Sequence, residues 1–158
     1  MSKVEPVPEG VHTVVPRLVF TRGEGTKAMQ LYVDAFGAQV VEEPHLMPDG
    51  QLIHAHIRIG DSSVFLTDEG DEGRAPASVG GQVTAVMAVH IPNVDELWKR
   101  ATDAGCTVIY PLANQFYGDR GGRLRDPFGH QWMLSTHIED VSPEEMERRM
   151  QQQMDANG

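Results

Sequence analysis

The chain has 158 residues, a formal net charge of −10 and a sequence pI near 5.0, a balance that argues against nucleic-acid binding. No apolar run approaches the roughly 20 residues needed to cross a bilayer, so a membrane protein of the helical kind is excluded. The single cysteine, Cys106, excludes an internal disulfide and fits a reducing compartment.

Residues 1–10, MSKVEPVPEG, are polar, hold two prolines and lack the apolar core of a secretory signal. They read as a loose arm, and a cytoplasmic location follows by default. Residues 12–21 are rich in Val and Leu and predict a strand, with Pro16 marking an edge, an end or a bulge. Thr26 is placed to cap a helix that runs to about Phe36. Met29, Tyr32, Val33 and Phe36 recur at helical spacing, and Gly37 follows as a stop. Residues 39–43 predict a short strand and Pro48-Asp49-Gly50 a turn. Residues 52–59 predict a strand with His54 and His56 on one face, and a turn at 60–62 leads into a strand over 63–67.

Residues 70–81 are acidic, Gly-rich and Pro-containing, the composition of a linker. The order then restarts. Residues 84–91 predict a strand, and Asn93 with Glu96 forms a capping signal for a helix that turns Leu97, Trp98 and Ala101 inward and stops at Gly105. Residues 107–110 predict a strand. Gly118, Gly121 and Gly122 surround Asp119 and Arg120 in a shaped loop, after which Arg123, Leu124 and Arg125 alternate as a half-buried strand does. Asp126-Pro127-Phe128-Gly129 is a turn, and residues 131–136 return with Trp132 and Leu134 on one face and Met133 and Ser135 on the other. Ser142, Pro143 and Glu145 open a last helix, on which Met146, Met150 and Met154 form a weak apolar stripe that covers the domain, frays or meets a second copy.

The two halves match at a constant offset of 68, pairing Met29 with Leu97, Gly37 with Gly105, Val64 with Trp132 and Leu66 with Leu134. A glycine stop repeated ahead of a strand points to a duplicated unit. The boundaries are an arm at 1–10, a first βαβββ module at 11–69, a linker at 70–81, a second module at 82–138 and a helical tail at 139–158.

The run from Gly118 to Glu145, of the pattern GDRxGxxxDPFGHxWxLxTHxEDVSxEE, resembles the PhnB-like branch of the vicinal-oxygen-chelate superfamily, which includes glyoxalase I, extradiol dioxygenases and bleomycin-resistance proteins. The resemblance extends back through residues 29–37 and 50–69. It implies an α+β fold in which two tandem βαβββ modules form a cupped, partly open mixed sheet whose hollow holds a ligand. It also implies a homodimer. The first strand, with Val14, Val15, Leu18, Val19 and Phe20, carries more apolar side chains than one buried face needs, and open sheet edges invite pairing.

Metal enzymes of this superfamily take His, Gln or Glu from the first and last strands of each module. Here the family's carboxylate after Asp126, Pro127 and Gly129 falls at Met133, and a thioether does not replace a carboxylate for a hard cation. The other positions fall near Pro16 or Arg17, at Leu66 or Thr67, and near Ala88. No metal ligand and no cofactor are therefore expected; the alternative is a displaced divalent-metal site built from His54, His56 and His90, serving a lyase, isomerase or dioxygenase. The expected small-molecule contacts are His54, His56, His90, Phe116, Tyr117, Arg120 and Trp132. For the histidines, a role lining the hollow or bonding to backbone competes with ligation. For Arg120 the competitor is an internal ion pair with Asp119 or another acid, and for Trp132 it is a place in the core. Cys106 has no adjacent basic group to make it a nucleophile.

Overall fold

The computed structural model describes residues 5–70, 77 and 81–157. The chain divides into two compact units at Val83 and Thr84. In the first unit the elements are β1 (Arg17–Phe20), α1 (Gly25–Phe36), β2 (Gln39–Val40), β3 (His45–Leu46), β4 (Leu52–Ile59) and β5 (Ser62–Asp68). In the second they are β6 (Val86–His90), α2 (Val94–Asp103), β7 (Thr107–Asn114), β8 (Asp119–Arg125), β9 (Gln131–His137) and α3 (Pro143–Asn157). The fold is mixed α+β, and each unit has its own open sheet. The strands run β1-β5-β4-β2 in one sheet and β6-β9-β8-β7 in the other, so both follow the same order. In each, the first strand lies parallel to the last, and the other pairings are antiparallel. The repeat implied by the offset of 68 is thus a repeat of topology. The short β3, which joins β4 across a bulge, is an addition that the sequence pattern did not predict.

Each sheet buries one face against its own helix. In the first unit Leu18, Phe20, Ala55, Ile57, Val64 and Leu66 are buried, and Phe20 meets Tyr32 of α1 at 6.3 Å between ring centroids. In the second unit Leu97 and Ala101 of α2 are buried, together with Leu124, Trp132 and Leu134 of the sheet. Gly122 is required here, because a Cβ would stand 2.6 Å from the Trp98 ring.

The helix ends differ from expectation in one case. α2 starts as predicted, with the Asn93 side chain accepting from the Glu96 N–H at 3.3 Å. α1 starts at Gly25, ahead of Thr26, and no side chain of its N-cap residue serves it. Its cap comes from β5. Buried Asp68 accepts from the N–H groups of Gly23 (2.9 Å), Gly25 (2.8 Å) and Leu52 (2.9 Å). α3 reaches Asn157 and has no buried residue.

Of the expected arm and linker, residues 1–4, 71–76 and 78–80 lie outside the described residues. Gly10 lies against the first sheet, its carbonyl accepting from Ser63 Oγ at 3.4 Å.

Candidate functional site

Strand alternation and register define the face of each sheet turned away from its helix. In the first unit Arg17 is paired with Phe65 and Phe65 with His56, which places the three on that face. Phe65 stands edge-on to both His54 and His56, at 5.0 Å between centroids in each case. His54 has both ring nitrogens engaged, Nδ1 with Arg17 at 2.9 Å and Nε2 with Glu42 at 3.3 Å. His56 is buried, and its Nε2 bonds Ser63 Oγ at 2.8 Å. Burial holds the His56 imidazole below its ordinary pKa, against the raising effect of Glu42. A cleft of about 380 Å³ lies between Phe65 and the segment carrying Pro6, Val7, Val11 and Val15.

In the second unit the face away from α2 carries Asp119, Gly121, Arg123, Met133, Ser135, His137, Ala88, His90 and Tyr110, placed there by the pairings across β6, β9, β8 and β7. The Arg123 guanidinium lies 5.3 Å from the centroid of the Tyr110 ring, and Tyr110 is 60% exposed. Asp119 accepts at 2.8 Å from His137 Nδ1, whose Nε2 reaches Asp140 at 2.9 Å. These two bonds, Asp119's first, push the His137 imidazole above its ordinary pKa. His90 Nε2 stands 3.7 Å from Asp119.

Two side chains named from the sequence lie on the opposite, helix-side face. Arg120 pairs with Thr136, whose hydroxyl accepts from Val94 N–H of α2, and its guanidinium is bidentate to Asp95 at 2.8 and 2.7 Å. Its partner is therefore Asp95 rather than Asp119, because one step along a strand reverses the face. Trp132 is 1% exposed, and its Nε1 donates to Asp126 at 2.9 Å, so it belongs to the core of its unit. Phe116 and Tyr117 form an edge-to-face pair at 5.3 Å in the β7–β8 loop, where the Phe116 carbonyl accepts from Arg149 of α3. His54 and His56 stay together. Arg17, Phe65, Tyr110, Arg123 and Ser135 were not among the contacts expected from the sequence. The buried Leu124 between Arg123 and Arg125 was the signal available: it assigns both arginines to the face away from the core.

The family's metal positions can be tested by register. In the second unit they are Ala88 and Met133, which are direct partners. In the first unit the offset of 68 carries Met133 onto Phe65, the direct partner of Arg17 and one position from the expected Leu66. A methyl, a thioether, a guanidinium and a phenyl ring do not fit a divalent cation. Among the described residues no group of three or more His, Cys, Asp or Glu side chains could hold a metal ion. Cys106 is no substitute centre, since burial pushes its thiol up to about 12.

The sequence pattern of the Glyoxalase/Bleomycin resistance protein/Dioxygenase superfamily matches residues 12–134. The chain belongs to this superfamily. An uncharacterized protein of Mycobacterium bovis is 36% identical over 138 residues, 84% of this chain and 89% of that one. Solved structures of similar fold include TioX from Micromonospora sp. ML1, at 24% identity and TM-score 0.60, covering 79% of this chain and 99% of that one. A PhnB protein from Bacillus cereus aligns at 17% identity and TM-score 0.63, again over 79% and 99%. The fosfomycin resistance protein FosX from Listeria monocytogenes aligns at 16% identity and TM-score 0.57, over 87% and 97%. These likenesses concern the fold. As a glyoxalase/bleomycin-resistance relative, the chain keeps the superfamily's repeated βαβββ frame.

Proposed function

We propose that this superfamily member is a metal-independent small-molecule-binding protein that sequesters an aromatic or amphipathic compound. One observation supports the reading: Arg17–Phe65 and Ala88–Met133 are direct partners in register, and the resemblance to metal enzymes of the superfamily implies donors at Met133 and near Ala88 and Arg17. Such side chains suit an organic ligand, for which aromatic faces and a few placed cations supply affinity and orientation. No helix among the described residues is long and apolar enough to cross a membrane, which is compatible with work in the cytoplasm. We further propose that the protein acts as a homodimer without nucleic-acid partners.

Metal analysis of protein purified without chelator tests the reading, together with a thermal-shift screen of small molecules. The expected outcome is substoichiometric metal and at least one stabilising compound; a ligand at 100 times its Kd adds about 2.7 kcal/mol. Stoichiometric metal whose removal abolishes an activity overturns the proposal, and so does a screen in which no compound of any class binds.

A further inference from the structure

On the second unit's face away from α2, side chains stand in rows across the strands. One row is Tyr110, Arg123, Met133 and Ala88; the next is Ala113, Gly121, Ser135 and His90. The middle of the second row is small. Gly121 adds no side chain, and a Cβ there would stand 2.8 Å from the Leu134 carbonyl oxygen and 3.0 Å from Ser135 Cβ, so the floor must stay low.

Two polar atoms on this face are buried and have no hydrogen-bond partner among the described residues: Arg123 Nε and Ser135 Oγ. Ser135 is only 3% exposed. Buried donors left without a partner are rare and costly, and a site for a ligand atom is one of the few explanations for them. Arg123 also differs from three other arginines of its unit. Arg120 pairs with Asp95, Arg148 with Glu145 and Arg149 with Glu139, whereas among the described residues Arg123 meets no carboxylate and lies over a tyrosine ring. In a chain of net charge −10, a half-buried guanidinium with no ion pair among the described residues retains its charge for something else. The acid on the same face, Asp119, is occupied by His137 and faced by His90, so it opposes a bound anion less than a free carboxylate would.

Resting on the small-molecule reading above, we infer that Arg123, Ser135 and Tyr110 form a subsite for a planar organic carboxylate. The carboxylate accepts from Arg123 Nε–H and from the Ser135 hydroxyl, and the flat body lies over the low Ala113–Gly121 floor beside Tyr110. The subsite thus uses a fixed cation one row position from Met133, the residue at the family's metal position.

The test uses the full chain and a panel of aryl carboxylates (benzoate, salicylate, 4-hydroxybenzoate) with their matched amides, followed by calorimetry and by the side-chain Nε–H resonance of Arg123, assigned through its loss in Arg123→Gln. Carboxylates are expected to shift that resonance and to bind about tenfold or more tightly than their amides, as a charge-assisted contact requires. Arg123→Gln is expected to remove the preference, and Ser135→Ala to weaken it. Amides binding as well as carboxylates overturns the inference, as does carboxylate binding that survives Arg123→Gln, or inorganic phosphate binding as tightly as the aryl compounds. If Arg123→Gln does not fold, Arg123→Lys and the wild-type comparison of acid with amide decide. A neutral compound bound equally by wild type and Arg123→Gln, with no carboxylate bound, sinks this subsite while leaving the small-molecule reading in place.

Discussion

Asp68 is buried, and its two carboxylate oxygens take three backbone N–H groups from two separate stretches of chain. Asp68→Ala leaves those donors without a partner, and urea unfolding is expected to show a loss of about 3–5 kcal/mol; Asp68→Asn, which keeps the shape, loses less. Arg120 is the opposite case. Its fork to Asp95 is solvent-exposed, so Arg120→Ala is expected to leave the unfolding midpoint nearly unchanged. Histidines supply the pH dependence. Hydrogen bonds to Asp119 and then Asp140 raise the His137 value above its ordinary 6.5. The stability this bridge contributes is therefore complete below 6.5 and is lost as pH rises through the raised folded-state value. His56 runs the other way: burial lowers its value, so its contribution is present above 6.5 and is lost as pH falls through the lowered value. Proton NMR titration of the ring resonances is expected to place His137 above and His56 below 6.5, and His137→Gln is expected to abolish the alkaline part of the stability decline.

The two sheet-covering helices are started by different means. α2 carries its own cap in Asn93, so Asn93→Ala is expected to cost about 1 kcal/mol, read from thermal unfolding, and Asn93→Asp to restore most of it. α1 depends on Asp68, 43 residues away from Gly25 in the chain. Its start was therefore not legible locally, where Thr26 stood as the candidate cap. α3 has its own cap, Ser142, whose hydroxyl accepts from Glu145 N–H at 3.2 Å, and it is tied down by Arg149 to Glu139 and to the Phe116 carbonyl. Because α3 has no buried residue, deleting residues 143–158 is expected to remove helical circular dichroism while leaving the urea midpoint of the remainder almost unmoved. The same deletion frees the Phe116–Tyr117 loop from Arg149. Faster amide exchange at Gly118 would register that release, although Gly118 N–H keeps its own bond to the Gln115 carbonyl.

At the scale of the whole molecule, the sheets have exposed borders. β7 is an eight-residue border strand with Val108 52% and Tyr110 60% exposed, and β1 borders the other sheet behind a largely exposed Val14. Edges of this kind are a route to association, and closed two-fold dimers are the commonest outcome. Sedimentation equilibrium at low micromolar concentration is expected to return twice 17.4 kDa. A mass of 17.4 kDa with no concentration dependence counts against the dimer.

The sequence by itself determined the class, the repeat and most element centres. Periodicity and glycine stops are local signals, and they recur at a spacing of 68 because both units solve the same problem of covering one sheet face with one helix. The resemblance it carries put Met133 at, and Ala88 near, the family's metal positions. Tertiary structure decided which groups face each other. Arg120 and Arg123 lie three residues apart, yet one ends beside Asp95 and the other over Tyr110. That difference is set by register, since an odd step along a strand crosses the sheet. The burial of Ser135, the engagement of both His54 nitrogens and the capping of α1 by Asp68 depend in the same way on contacts between residues far apart in the chain, for which a single sequence carries no local trace.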